Sequence, residues 1–275
     1  MILITGSNGF IGRNLTKLFK KDGFEAISTT KKDLDLLNGN NVEYFLNLYK
    51  PLFLINCATV GGRRFDSVDD YSIFYKNLLM VENLLRYNYT FRKMIFFSSG
   101  AEYNKDYNIY NVKEDEYPNS VPTNFYALSK YMATQRFKKY NNIINLRIFN
   151  CFGEDEGNDR FITNSIKNYI NKKPINIWAD NYFDFFYIND LYVVIKFLLF
   201  QEYNYEYFEY NCVYKEKYKL SNVVKLINNF KDYSVNVNID GYGYDYCGSG
   251  DKLNKLGIEF IGLKNGMKNC FDYWS

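Results

Sequence analysis

Over the first 150 residues, short apolar runs alternate with longer stretches in which apolar residues recur at helical spacing. The first kind predicts buried strands and the second amphipathic helices. Strands are expected over residues 1–5, 24–29, 52–58, 93–98 and 143–149. Helices are expected over 13–21, with Ile11, Leu15 and Leu18 on one face, and over 40–49, closed by Pro51. Two more are expected, over 71–89, with a stripe through Phe74, Leu78, Val81 and Leu85, and over 124–139. Asn77 interrupts that stripe and is either a satisfied core amide or a ligand contact. Residues 102–123 are polar and predict an irregular segment able to cover a site. Strands and helices alternating in this way argue for a doubly wound parallel α/β sheet.

After Asn150 the alternation loosens. Residues 151–160 are polar and acidic, 161–171, 190–200 and 220–230 read as helices, and 175–178 and 207–211 as short extended pieces. A tail rich in Gly, Tyr and Asp runs on to Trp274, and no internal repeat is present. The expected organisation is a dinucleotide-binding domain from 1–150 plus about 183–206, with a smaller C-terminal substrate-binding lobe from 151–182 and 207–275.

The opening stretch MILITGSNGFIG places Gly6, Gly9 and Gly12 between the first strand and the first helix. Strand, glycine turn and helix are the setting of a Rossmann dinucleotide fingerprint. Gly6 lets the chain turn out of the strand, Gly9 lets a pyrophosphate approach the backbone, and Gly12 lets the helix pack closely. The helix N-terminus offers N–H groups to the phosphates. The spacing is G-x-x-G-x-x-G, which an unrelated glycine turn would also satisfy. At the end of the second strand, where an acid would bind a ribose 2′-OH, stand Thr29, Thr30, Lys31 and Lys32, with no acid before Asp33. This favours NADP, with NAD as the alternative. After the third strand, Gly61 and Gly62 make a loop at the carboxyl edge of the sheet, in the segment ATVGGRR.

Composition narrows the chemistry. The 275 residues are 47% hydrophobic and 24% charged, which suits one large folded unit or a cofactor domain with a lobe. Lys+Arg 34 against Asp+Glu 31 gives +3, without a basic run of nucleic-acid type, so no nucleic-acid partner is expected. The apolar runs at 1–5 and 193–200 are too short for a signal peptide or membrane span, so a soluble cytoplasmic protein is expected. Cys57, Cys151, Cys212, Cys247 and Cys270 are scattered without a C-x-x-C, which argues against a disulfide framework and a zinc site. Histidine is absent. No metal is expected, and acid–base work falls to Tyr, Lys, Asp, Glu, Cys or Ser.

Tyr126-Ala-Leu-Ser-Lys130 places a phenol and an ammonium four residues apart, on one helix face. An ammonium beside a phenol favours the phenolate and makes the pair a proton donor and acceptor. Tyr89/Lys93, Tyr169/Lys173 and Tyr192/Lys196 share the spacing, but only Tyr126/Lys130 follows a Ser-Ser-Gly at a strand end and lies between the fourth and fifth strands. The other three are read as solvated helix faces. Ser99 is the third member, its hydroxyl able to hold a substrate carbonyl.

TGSNGFIG, SSGAEY and YALSK, in that order, resemble the extended short-chain dehydrogenase/reductases of the NAD-dependent epimerase/dehydratase family, from Met1 through FDFFYINDL and more loosely beyond. The resemblance implies Ser99, Tyr126 and Lys130 as catalytic residues. For the cofactor it implies Gly6, Asn8, Gly9, Phe10, Ile11 and Gly12 at the pyrophosphate, Thr30, Lys31, Asp35 and Leu36 toward the adenosine, and Ala58, Asn77 and Lys130 toward the nicotinamide. It implies Asn150 facing a nucleotide-sugar substrate, and a homodimer through the helices at 71–89 and 124–139. The V-G-G after the third strand is similar to GDP-fucose synthase-type nucleotide-sugar 4-reductases. Those enzymes use a Cys and a His to epimerise carbons beside the ketone; Ala101 and Arg160 stand in those places. Phe183 stands where many relatives have Arg, which leaves Arg160 or Lys167 to meet the substrate's charge. Gly100 and Ala101 replace the Asp-Glu pair of the 4,6-dehydratases. The expectation is a reductase of a nucleotide-linked 4-keto (deoxy)sugar acting without epimerisation. A nucleotide-sugar 4-epimerase holding NAD is the alternative, and a non-enzymatic nucleotide-binding protein is a third.

Overall fold

A computed structural model describes residues 1–62, 70–116, 120–201 and 208–275. Arg63 and Arg64 of ATVGGRR, residues 117–119 of the expected irregular segment, and Tyr207 at the start of an expected strand lie outside the described residues. In chain order, β1 (Ile2–Thr5), α1 (Phe10–Lys21), β2 (Ala26–Ser28), α2 (Gly39–Tyr49), β3 (Phe53–Asn56), α3 (Tyr71–Leu85), β4 (Lys93–Ser99), β5 (Ile109–Val112), α4 (Phe125–Phe137) and β6 (Ile143–Ile148) come first. There follow β7 (Cys151–Phe152), α5 (Phe161–Ile170), β8 (Ile175–Ile177), β9 (Tyr182–Phe183), β10 (Phe186–Tyr187), α6 (Ile188–Phe200) and β11 (Glu209–Cys212). The chain ends with β12 (Tyr218–Lys219), α7 (Leu220–Asn228), β13 (Val237–Ile239), β14 (Tyr246–Gly248), α8 (Asp251–Asn254) and α9 (Gly262–Trp274). None of the helices among the described residues is long and apolar enough to cross a membrane.

The chain forms two compact units. The first comprises Met1–Asn104, Pro118–Arg147 and Ile195–Tyr210, and the second Lys105–Tyr117, Ile148–Val194 and Asn211–Ser275. Residues 183–194 thus pack with the second unit.

The first unit is built on a six-stranded sheet of order β11-β6-β4-β3-β1-β2, in which β1 runs parallel to β2 and β3, and β3 parallel to β4. This is the doubly wound arrangement. The chain leaves β1 for β2 on one side and returns to β3 on the other, so the strand order reverses between β1 and β3, where such sheets bind ligands. Thr5 Oγ1 donates to Asn56 Oδ1 (2.6 Å) across that junction. The strands are buried because both faces are covered, which explains their continuous apolar runs.

Two helix faces differ from expectation. On α1 the buried positions are Gly12, Leu15 and Phe19, and Leu18 is half-buried. The helix begins at Phe10, three residues earlier than the pattern suggests, and Gly12 is the position laid against the loop. On α3 Val81 and Leu85 of the expected stripe are buried, whereas Phe74 and Leu78 are half-buried and Ile73, Asn77, Met80 and Leu84 are buried beside them. This helix also packs on α4, so it has two apolar faces and the stripe falls between them.

The segment expected to be irregular is partly ordered. It carries a 3-10 turn, Gly100–Tyr103, and β5, which pairs in parallel with β14. Glu102, Tyr103 and Asn104 are buried. Strand β14 sits in the second unit's four-stranded sheet, of order β12-β9-β14-β5. The tail ends in α9, which buries Leu263, Met267, Cys270 and Phe271 at helical spacing. The Asp190 carboxylate accepts from Ile261 N (2.8 Å) and Gly262 N (3.0 Å) and so caps its start.

Candidate active site

The glycine turn sits at the carboxyl end of β1. Gly6 has φ +64, and a Cβ on it would lie 2.7 Å from Ala58 N, so β1 and the chain after β3 approach as closely as backbones can. A Cβ on Gly12 would lie 2.5 Å from Gly6 O. At Gly9 the same test meets Gly6 O alone, at 3.3 Å, leaving that face open. Gly9 N-caps α1 without a side-chain acceptor, and Asn8 beside it is exposed. Phe10 and Ile11, in the first turn of α1, are half-buried. An uncapped first turn beside an open glycine face fits a dinucleotide pyrophosphate. Gly12→Ala is therefore expected to weaken NADPH binding about tenfold, as overpacking at a close contact costs roughly 1–3 kcal/mol. Calorimetric titration checks this, with circular dichroism to show that the variant folds.

Beyond β2, the Asp33 carboxylate accepts from Thr30 N and Thr30 Oγ1, both at 2.8 Å, and these bonds lower its pKa. Lys31 is exposed and lies 4.0 Å from Asp35. Asp35 N donates to Asn41 Oδ1 (2.7 Å), and the Leu36 side chain is buried in the core.

Asn124 caps α4 by accepting from Ala127 N (3.0 Å), which sets the phase of Tyr126 and Lys130 one turn apart. Tyr126 is half-buried, and its ring lies against Gly62, where a Cβ would stand 2.5 Å from Tyr126 Cζ. Lys130 Nζ lies 5.6 Å from the Tyr126 ring centroid and donates to Phe97 O (2.9 Å), two residues before Ser99 on β4. Ser99 Oγ accepts from Ala101 N (3.1 Å), which starts the 3-10 turn. Lys130 is buried, and burial lowers its pKa to about 8; Glu102 and Cys57 act in the opposite direction. Burial also pushes the Cys57 thiol up. Ala58, Asn77 and Lys130 line one small cavity together with Asn56, Ser129 and Phe96.

Asn77 is engaged with protein. Its Oδ1 accepts from Val60 N (2.8 Å), and its Nδ2 donates to Val60 O (2.9 Å) and Ser129 Oγ (3.1 Å). It pins the loop after β3 to α4 and thereby places Gly62 against Tyr126.

The three rival Tyr/Lys pairs are only partly solvated: Tyr89 and Lys173 are exposed, but the other members are held by protein. Lys93 donates to Leu198 O, Leu199 O and Gln201 O and closes the end of α6. Tyr169 is fully buried, and its hydroxyl donates to Tyr233 O (3.0 Å). Tyr192 is buried, and Lys196 pairs with Asp22 at 2.6 Å. Each pair thus has at least one member held by packing, hydrogen bonding or ion pairing.

Of the residues expected on the substrate side, Ser99 lies in the first unit; in the second, Asn150 Nδ2 donates to Asp184 O (2.9 Å), Arg160 Nε donates to Glu156 Oε1 (3.1 Å), and Lys167 Nζ donates to Asn158 Oδ1 (2.5 Å). Phe183 packs its ring near Phe185 and Tyr246. The buried Glu102 escaped sequence reasoning. Its Oε1 accepts from Ser98 Oγ (3.1 Å) and pairs with the buried Arg147, whose Nη2 reaches Glu209 Oε2 at 2.5 Å. The signal was a charged residue inside the apolar strand INLRI, which requires a buried partner.

Fold and glycine turn together define a dinucleotide-binding, doubly wound α/β protein. The NAD dependent epimerase/dehydratase family matches residues 2–212, and the chain belongs to that family of NAD(P)-dependent oxidoreductases. GDP-L-colitose synthase of Yersinia pseudotuberculosis is 28% identical over 213 residues, covering 69% of each chain. GDP-6-deoxy-D-talose 4-dehydrogenase of Aggregatibacter actinomycetemcomitans is 29% identical over 204 residues, covering 69% of this chain and 66% of that protein. These matches span about two thirds of the relatives' length. A GDP-mannoheptose C4 reductase from Campylobacter jejuni, solved with NADP bound, shares the fold at TM-score 0.84 and 21% identity, covering 99% of this chain and 97% of that one.

Proposed function

We propose that the protein reduces the 4-keto group of a GDP-linked (deoxy)sugar, using NADPH and leaving the neighbouring carbons unepimerised. The observation that carries this is the buried Lys130 ammonium under the Tyr126 ring, tied to the strand that ends in Ser99. A bound nicotinamide supplies the hydride. Tyr126 gives its proton to the oxygen that becomes the 4-OH. Lys130, cationic below about pH 8, stabilises the phenolate left behind. The Ser99 hydroxyl donates to the same oxygen as charge builds.

NADP over NAD is supported by Thr30, Lys31 and Lys32 after β2 and by the NADP in the Campylobacter reductase. The guanine nucleotide is supported by the names of the two curated relatives. Reduction alone is supported by Ala101, by Arg160 in its pair with Glu156, and by a chain without histidine. The exposed Tyr71, Tyr75 and Met132, on α3 and α4, support the homodimer.

The test is a panel of GDP-, CDP-, UDP- and dTDP-linked 4-keto sugars, scored by NADPH oxidation. Turnover is expected with the GDP compound and NADPH. Purified protein that already carries NAD and interconverts two nucleotide sugars without added NADPH would establish a 4-epimerase instead.

A further inference from the structure

We propose that Ser98, with Glu102 and Thr134, forms a buried hydrogen-bond network that positions the catalytic Ser99 and Lys130 by holding the end of β4 against α4. This rests on the reductase reading above and assigns positioning residues to it. Both catalytic groups depend on one short stretch of β4. Lys130 Nζ donates to Phe97 O (2.9 Å), and Ser99 stands two residues further on, its Oγ starting the 3-10 turn. Ser98 lies between them. Its hydroxyl donates to Glu102 Oε1 (3.1 Å) and accepts from Thr134 Oγ1 (3.4 Å), which in turn accepts from Asn145 Nδ2 (2.8 Å). Thr134 stands one turn beyond Lys130 on α4, and Asn145 is on β6. All of these side chains are buried.

The network therefore joins the stretch that carries Ser99 and receives Lys130 to the helix that carries Tyr126 and Lys130. Its far end is anchored. Glu102 Oε1 also pairs with Arg147 on β6, and Arg147 reaches Glu209 on β11, so two further strands of the sheet hold Glu102 in place. Buried hydroxyl, amide and charged groups are costly where apolar side chains could fill the same space. What they add is direction: a satisfied polar network fixes one arrangement of the elements it joins. Direction matters here, because a displacement of about 1 Å at a reacting group can cost about a hundredfold in rate.

The experiment measures kcat and KM on a GDP-linked 4-keto sugar, NADPH affinity and melting curves for the full chain as wild type, Ser98→Ala, Thr134→Val and Thr134→Ser. Ser98→Ala removes the centre of the network and leaves Glu102 paired with Arg147. Thr134→Val removes a hydroxyl at nearly constant shape, and Thr134→Ser keeps that hydroxyl. Ser98→Ala and Thr134→Val are expected to lower kcat about tenfold, as the loss of one hydrogen bond from the transition-state geometry would. KM and NADPH affinity are expected to stay as in wild type, and Thr134→Ser to keep most of the rate. A folded Ser98→Ala with the kcat of wild type would overturn the proposal. So would a Thr134→Ser as slow as Thr134→Val, which would place the effect in packing. Should Ser98→Ala fail to fold, the two Thr134 variants decide. These outcomes leave the reductase reading standing; a wild type that reduces none of the GDP-, CDP-, UDP- or dTDP-linked ketones would bring down that reading and the proposal with it.

Discussion

Tyr126→Phe is expected to lower turnover about a hundred- to ten-thousand-fold, the usual span for a lost general acid, while NADPH binds as before. The substitution keeps the ring that packs on Gly62 and removes the hydroxyl alone. Steady-state rates and NADPH titration on the same preparation check both halves. Near-normal turnover would show that the proton comes from elsewhere. The pH profile adds a sign. Lys130 has a pKa lowered to about 8 by burial, so it is cationic below that value and neutral above it, and the reductase rate is expected to fall as pH rises through about 8. The same group works against stability. Its folded pKa lies below the ordinary 10.5, so the buried charge costs stability at pH below about 8, and that cost is relieved as pH rises from about 8 toward 10.5. A lysine kept under such a penalty fits a catalytic position better than a structural one.

The second large effect concerns stability. Arg147→Met is expected to cost about 3–5 kcal/mol, because it leaves carboxylates facing one another without their shared cation. Arg147 and Glu102 are fully buried and Glu209 is 20% exposed, so water compensates little. Thermal unfolding should show a fall of roughly 10 °C for a chain of this size. Arg136→Met breaks an exposed pair with Glu82 (2.9 Å), where solvent screens the charges, and should change stability far less. Equal effects from the two substitutions would show that the buried pair is not the stabilising one. Because Glu102 bonds Ser98, next to Ser99, Arg147→Met should also slow turnover at temperatures where it remains folded.

Much of the first unit was legible because its signals are local. A strand buried on both faces must be apolar, a glycine pressed against backbone, as Gly6 and Gly12 are, leaves no room for a side chain, and a four-residue spacing fixes a helix face. Gly6, Gly12, Tyr126 and Lys130 were readable on those grounds. What the sequence hid depends on partners distant along the chain. The α1 face shifted from Leu18 to Phe19 because the helix starts on the glycine loop itself. The polar segment at 102–123 contains a strand because β14, far along the chain, pairs with it. The C-terminal helix was hidden among Asn and Lys residues, its start capped by Asp190 from another helix. Arg147 stands out as a charge in an apolar strand, but its two carboxylates come from a 3-10 turn and from β11, which no local pattern brings to it.

The most direct measurement follows isotopes through the reduction. A GDP-linked 4-keto-deoxysugar is reduced in two parallel reactions, one in ordinary water with NADPH deuterated at the transferring position and one in deuterated water with unlabelled NADPH, and the products are read by NMR. Deuterium from the cofactor at C4, with protium retained at C3 and C5, is the predicted result. Solvent deuterium at C3 or C5, or a C4 without the cofactor's label, would contradict it.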